Sequence, residues 1–249
     1  MVHRIRAAVV AVLLIAALGV PVHLHAPTVA RAQSALPASI PILIYHNIDP
    51  TPGEYTVSTT QLESHLIWLR DNGYTSITPS ELYAAWLGQI ALPANPVIIT
   101  ADDGWASQYA FIDLINAYGF RATYFLPSYT PFSPDLIASL AATGEVCGHT
   151  TTHPRLSGLT YDQQVAEIAD NKAWLEGIIG KPVTCFAYPF GDYNADSVAA
   201  VSNLGFTTAF KAWGGPVPIT SGMAPMEIPR VNMDGTLPFD ELIGRILGS

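Results

Sequence analysis

Two adjacent carboxylates, Asp102 and Asp103, end the apolar run 97–100 and are followed by Gly104 and Trp105. Neighbouring aspartates repel each other and lose hydration at a strand end, so a cation is the simplest group to hold them there. The same Asp-Asp-Gly sequence also makes an ordinary solvated turn. A second set is His149-Thr150-Thr151-Thr152-His153. Two imidazoles four residues apart suit a transition metal. Thr150 stands where the helical H-E-x-x-H motif needs glutamate, and the three threonines with Pro154 disfavour helix, so the pair is expected on a loop. Two histidines and one aspartate drawn from separate strand ends make a facial site with open positions for water. The third stretch, Phe186-Ala187-Tyr188-Pro189-Phe190-Gly191-Asp192-Tyr193, is a strand running into a Pro-Gly turn. Its rings serve either as packing or, beside a metal, as a platform for a sugar ring. Trp105, Tyr129, Phe132, Tyr193 and Trp213 are candidates to line a groove.

The elements that must position these residues alternate. Strands are expected over 42–45, 74–77, 97–101, 122–125, 145–147, 183–187, 206–210 and 228–231. Helices are expected from a capping box at Ser58-Thr59-Thr60-Gln61, from Thr78-Pro79, over 106–118, from Ser133-Pro134, from Thr160 to Ile179, over 194–203 and over 238–247. Strands alternating with helices at this spacing predict a single-domain α/β fold with a parallel sheet closed into a barrel. Asp102, Asp103 and the His149–His153 loop then share the rim at the C-terminal ends of the strands, where such folds place their chemistry.

Residues 1–32 combine a basic start with Arg4 and Arg6, an apolar run over 7–20 and the A-x-A sequence Ala30-Arg31-Ala32. This is a secretory signal pattern with cleavage expected after Ala32, and the run is shorter than the roughly 20 residues of a membrane span. The expectation is a secreted or envelope-associated catalytic domain over 33–249 with no stable span after cleavage, working as a monomer. Removing 1–32 leaves 8 basic and 20 acidic side chains, a formal charge of −12. Such a surface does not seek nucleic acid, whose phosphates need Lys and Arg. Cys147 and Cys185 are the only cysteines and both fall in expected strands. In an exported protein they pair or remain as buried thiols, and spacing alone leaves both open.

Taken together, Thr100-Ala101-Asp102-Asp103-Gly104, His149-Thr150-Thr151-Thr152-His153 with Leu156, and Tyr188-Pro189-Phe190-Gly191 resemble the successive motifs of polysaccharide deacetylases, the NodB-homology domain of carbohydrate esterase family four. The resemblance runs from about 41 to 235. It implies a distorted (β/α) barrel of about seven strands, a divalent metal and hydrolysis of N-acetyl groups on a polysaccharide. It implies Asp103, His149 and His153 as the metal ligands, Asp102 as general base and the backbone N–H of Phe190 as an oxyanion donor. Zinc is the default ion, and cobalt, nickel or iron fit the same ligands.

The chain departs from the family pattern in three places. Ala101 replaces an aromatic residue. Ala187 stands where many members carry an arginine that orients the base, leaving Arg230 to take that role. No histidine follows His153, although many members take their general acid from one near the C-terminus. His46 and His65 are the other histidines after residue 32. His65 is expected on the solvent side of its helix, whereas His46 ends the strand 42–45 on the shared rim. Residues 41–46, Pro-Ile-Leu-Ile-Tyr-His, resemble the opening of the poly-N-acetylglucosamine deacetylase branch, which makes His46 the candidate general acid and leans towards a β-1,6-linked polymer. Chitin, peptidoglycan and acetylxylan are the alternative substrates. A glycoside hydrolase is disfavoured, because its two carboxylates must flank the bond about 5–9.5 Å apart. A non-catalytic sugar-binding protein on the same fold is the remaining alternative.

Overall fold

The computed structural model describes residues 39–218 and 224–248. The expected signal segment over 1–32 lies outside them. The principal strands are β1 (Ile42–Tyr45), β2 (Thr75–Ser76), β3 (Pro96–Asp102), β4 (Thr123–Leu126), β5 (Glu145–Gly148), β6 (Cys185–Ala187), β7 (Thr208–Phe210) and β8 (Val231–Asn232). They form one parallel sheet in the order β7-β6-β5-β4-β3-β1-β8, with β2 paired to the first two residues of β3. The sheet is curled. Ile228 bridges Phe210 on β7, and three residues later Val231 pairs with Leu43 on β1. The segment 228–232 therefore touches both ends of the sheet, and the architecture is the distorted (β/α) barrel that the motifs imply. The strand expected over 228–231 is split at Pro229, which has no N–H for a ladder.

Period-two alternation sorts the strand side chains into two apolar clusters. Leu43, Tyr45, Val97, Ile99, Tyr124, Val146 and Phe186 face outward and are packed by the helices. Those helices are α1 (Thr59–Asp71), α2 (Pro79–Trp86), α3 (Tyr109–Ala117), α4 (Pro134–Thr143), α5 (Tyr161–Ile179), α6 (Ala195–Asn203) and α7 (Phe239–Leu247). Ile42, Ile98, Phe125, Cys147, Cys185, Ala187, Phe210 and Ile228 face inward, with Leu82 of α2 among them. Both faces are covered, which is why the strands read as continuous apolar runs. Capping boxes start α1 at Ser58, α2 at Thr78 and α5 at Thr160. The helix expected over 106–118 opens as a 3-10 turn, Ala106–Gln108, before α3. Two short pairings fell outside the sequence reading: Ser39–Ile40 with Val217–Pro218, and Asn47–Ile48 with Thr56–Val57.

Cys147 and Cys185 form a disulfide between β5 and β6. With the cysteines 38 positions apart, such a cross-link contributes about 4 kcal/mol by the chain-entropy argument.

His65 is not on the solvent side of α1. It is 3% exposed, its Nδ1 lies 3.2 Å from Tyr45 Oη, and its ring stacks on Phe239 at 5.1 Å between centroids. Leu62, Leu66 and Leu69 share the buried stripe, and His65 falls inside it by helical spacing. Burial lowers the His65 pKa to about 4. Because the folded pKa lies below the unfolded value of 6.5, the unfolded chain binds more protons and stability falls as pH drops from 6.5 through 4. The loss from this group should reach about 3 kcal/mol. His65→Gln should flatten the pH dependence of urea midpoints between pH 7 and 4; an unchanged slope would assign the acid sensitivity elsewhere.

Candidate active site

The alternation that fills the barrel also aims its chemistry. Ile98, Thr100 and Asp102 lie on one side of β3. Continuing the parity of Ile42 and Ile44 brings His46 inward from β1, that of Cys147 brings His149 inward from β5, and that of Ile228 brings Arg230 inward. Asp102 and Asp103 would normally face opposite sides of the sheet. Asp103 has φ of +73°, which breaks the alternation and turns both carboxylates towards one cavity. The non-glycine residues with positive φ among the described residues are Asp103, Thr150, His153 and Phe190, and all four belong to this rim. Backbone held in that region costs of order 1–3 kcal/mol per residue and collects at functional sites.

Asp102 is 2% exposed and Arg230 is 1% exposed. They form a two-pronged ion pair: Arg230 Nη1 donates to Asp102 Oδ1 at 2.7 Å and Nη2 to Oδ2 at 2.6 Å. Arg230 also donates to Thr100 Oγ1 at 3.1 Å and to the Lys211 carbonyl at 3.0 Å, and its guanidinium lies 5.0 Å from the Phe125 ring centre. The fork of the arginine thereby fixes the plane of the carboxylate.

Asp103 Oδ1 lies 3.3 Å from His149 Nε2 and 3.1 Å from His153 Nε2, and the two Nε2 atoms are 3.2 Å apart. His149 Nδ1 is 2.8 Å from the Ala187 carbonyl, which can only accept, so the neutral ring carries its proton there and directs the Nε2 lone pair inward. Asp103 Oδ1 is buried and makes no hydrogen bond. A carboxylate oxygen and imidazole lone pairs converging on one point, within 4.8 Å of one another, fit a divalent cation. Burial pushes the Asp103 pKa up, but His149 and His153 outweigh it and hold the carboxyl well below the usual carboxylate range. Burial lowers the His149 pKa, yet Asp103, Asp102 and the Ala187 carbonyl together raise it above the ordinary histidine value. Around these three side chains, Asn171 Oδ1 accepts the His149 backbone N–H at 2.9 Å, and Trp105 Nε1–H donates to Asp103 Oδ2 at 2.9 Å. Glu167 accepts the N–H groups of Thr151 and Thr152, which fastens the loop between the histidines.

The cavity above these groups has a volume of about 530 Å³. His46 reaches it, and its Nδ1 is buried with no hydrogen-bond partner. Burial lowers the His46 pKa against the opposing pull of Asp102 and Asp103. Trp105, Tyr188 and Phe190 line the cavity too. Tyr188 is nevertheless buried, with its hydroxyl donated to the Met226 carbonyl, so it offers the cavity little beyond ring surface.

Other aromatic candidates are placed elsewhere. Tyr193 stacks behind Tyr188 at 4.6 Å and donates to Glu227, outside the cavity lining. Phe132 is buried in the outer core, and the exposed Tyr129 is not among the lining residues. Five lining residues escaped the sequence reading: Asn47, Tyr55, Thr56, Arg155 and Ala212. Tyr55, edge-on to His46 at 5.3 Å and to Trp213 at 6.0 Å, arrives on the loop after Asn47–Ile48, and Asn47 itself opens that short strand. Arg155 lies over the Phe190 ring at 4.6 Å. Its only sequence signal was adjacency to His153-Pro154.

A family model described as polysaccharide deacetylase matches residues 89–209. The Bacillus subtilis (strain 168) protein YxkH, a polysaccharide deacetylase by name, is 30% identical over 213 residues, which is 82% of this chain and 76% of that protein. The poly-β-1,6-N-acetyl-D-glucosamine N-deacetylase of Escherichia coli (strain K12) is 29% identical over 84 residues, covering 32% of this chain and 12% of that one. Among solved structures, the Streptococcus pyogenes deacetylase PplD in complex with acetate superposes with a TM-score of 0.76 at 22% identity, over 85% of this chain and 99% of that one, a likeness of fold. With the matching motifs standing on one barrel rim, the chain belongs to the polysaccharide deacetylase family and is an enzyme of that class.

Proposed function

We propose that this enzyme is a divalent-metal-dependent hydrolase that removes N-acetyl groups from an N-acetylglucosamine-containing polysaccharide outside the cytoplasm. The observation that carries the reading is the buried Asp102–Arg230 pair directly beside the converging Asp103, His149 and His153. Asp103, His149 and His153 would hold the ion. Bound there, a divalent cation lowers the pKa of water and polarises a carbonyl. Asp102, with its plane set by Arg230, takes the proton from the attacking water. The backbone N–H of Phe190, on the left-handed turn at the cavity wall, donates to the oxyanion. His46 delivers a proton to the departing amine, and burial makes its protonated form a stronger acid. Trp105, Phe190, Tyr55 and Trp213 offer exposed ring surface to the sugars.

The β-1,6-linked polymer is the favoured substrate, on the strength of the N-terminal placement of His46 and the partial likeness to the Escherichia coli enzyme. Export is supported by the signal pattern over 1–32 and by the Cys147–Cys185 disulfide, since such bonds persist in oxidising compartments. Zinc is the first ion to test.

The test is acetate release from β-1,6- and β-1,4-linked N-acetylglucosamine oligomers by zinc-loaded protein, with a chelator control. Chelator-sensitive release from the β-1,6 series is the expected result. Release from the β-1,4 series alone redirects the substrate to chitin or peptidoglycan, and release that survives the chelator refutes the metal reading. In the same assay His46→Gln should lower turnover about 10²–10⁴-fold, the range of general acid–base catalysis. His65→Gln should stay within a few-fold of wild type. The reverse pattern would remove His46 from the mechanism.

A further inference from the structure

We propose that the Cys147–Cys185 disulfide is a positioning device for the ligand His149. The inference rests on the metal reading above. β5 and β6 are in register at Gly148 and Phe186. The disulfide joins the residues just before that pair, and the His149 Nδ1 contact to the Ala187 carbonyl joins the residues just after it. Cys147 and His149 are two residues apart on one strand, as are Cys185 and Ala187 on the other. By alternation all four face into the barrel, so His149 stands one layer above the cross-link.

The ladder between these strands is short: Gly148 and Phe186 are its paired residues. The disulfide is the covalent link beside this single pair, and a shift of Ala187 against His149 would turn the imidazole or release its proton from the carbonyl. Asn171 fastens the other side of the residue, accepting the His149 N–H while donating to the Leu126 carbonyl and Ser128 Oγ. The imidazole is thus held by its backbone from α5 and by its ring from β6, and the disulfide fixes β6 to β5. Both sulfurs are fully buried, out of reach of substrate, so their part is played through His149.

The test is zinc and cobalt affinity, measured by competition with a chromophoric chelator, together with the visible absorption of bound cobalt. Wild type is compared with Cys147→Ala/Cys185→Val, which restores apolar volume without the bond. Wild-type protein reduced by a phosphine, with the reduction verified by mass, gives the same comparison without a sequence change. Leu69→Ala on α1 serves as a control for general destabilisation, and all samples are measured below their unfolding transitions. Loss of the cross-link should weaken metal affinity at least about tenfold, as removal of groups that orient a ligand does, and alter the cobalt spectrum. Leu69→Ala should stay within about twofold of wild type. Wild-type affinity and spectrum without the disulfide would overturn the proposal, as would an equal loss in Leu69→Ala. Absence of metal binding by wild type itself would instead remove the metal reading, and the proposal with it.

Discussion

Arg230→Met is expected to cost about 3–5 kcal/mol of folding stability and about 10²–10³-fold in acetate release. The two effects come from one geometry. Asp102 and Arg230 are almost fully buried, and Arg230 donates two hydrogen bonds of 2.6–2.7 Å to the carboxylate. Removing the guanidinium leaves a buried carboxylate without its counter-charge, the situation in which breaking an ion pair is most destabilising. It also frees the plane of the group assigned as base. The double variant Arg230→Met/Asp102→Asn removes both charges and should regain most of the lost stability while remaining inactive. Urea titrations and acetate assays on the two variants separate these effects. A double variant no more stable than the single one would show that Arg230 acts by packing rather than by pairing.

The second large effect concerns the ligand set. His153→Ala or Asp103→Ala should weaken zinc binding by more than about a hundredfold, beyond the 10–100-fold losses that accompany removal of groups merely orienting a ligand. A direct consequence is thermal. An ion present at a hundred times its Kd stabilises a folded protein by about 2.7 kcal/mol, so wild type should unfold at a higher temperature when zinc is added. Both variants should lose that shift, and acetate release should fall to background. A zinc-induced shift that survives in Asp103→Ala would place the ion elsewhere.

The chemistry was legible in the sequence to the extent that it is local. Asp102-Asp103-Gly104 and the two histidines four apart carry their own spacing, and strand alternation takes them to one rim. The partnership of Arg230 with Asp102 spans 128 positions and was reached through family resemblance rather than from periodicity. Tyr55 was illegible because its loop has no repeating pattern, and its place is set by the unforeseen pairing of Asn47–Ile48 with Thr56–Val57. His65 sat within an apolar stripe that was visible, but residue type outweighed position in the reading, and burial of the neutral imidazole against Tyr45 and Phe239 won. Tyr193 was drawn to the cavity by its proximity to Phe190, whereas Glu227 and the back of Tyr188 gave it partners elsewhere. The cysteines needed strand register, which no spacing supplies.

The closing segment 228–232 ties readiness to turn over substrate to the completion of folding. The proposed ligands span residues 103–153, in the middle of the chain. The residues proposed to move and steer protons at their margins, His46 and Arg230, adjoin β1 and β8, which lie side by side in the sheet. As the polypeptide emerges from the ribosome, Asp102 therefore waits for a partner 128 positions later. A chain cut before Arg230 keeps Asp103, His149 and His153 but lacks the guanidinium that fixes the plane of the Asp102 carboxylate. On the proposed roles of His46 and Arg230, full turnover therefore requires both ends of the fold to have met.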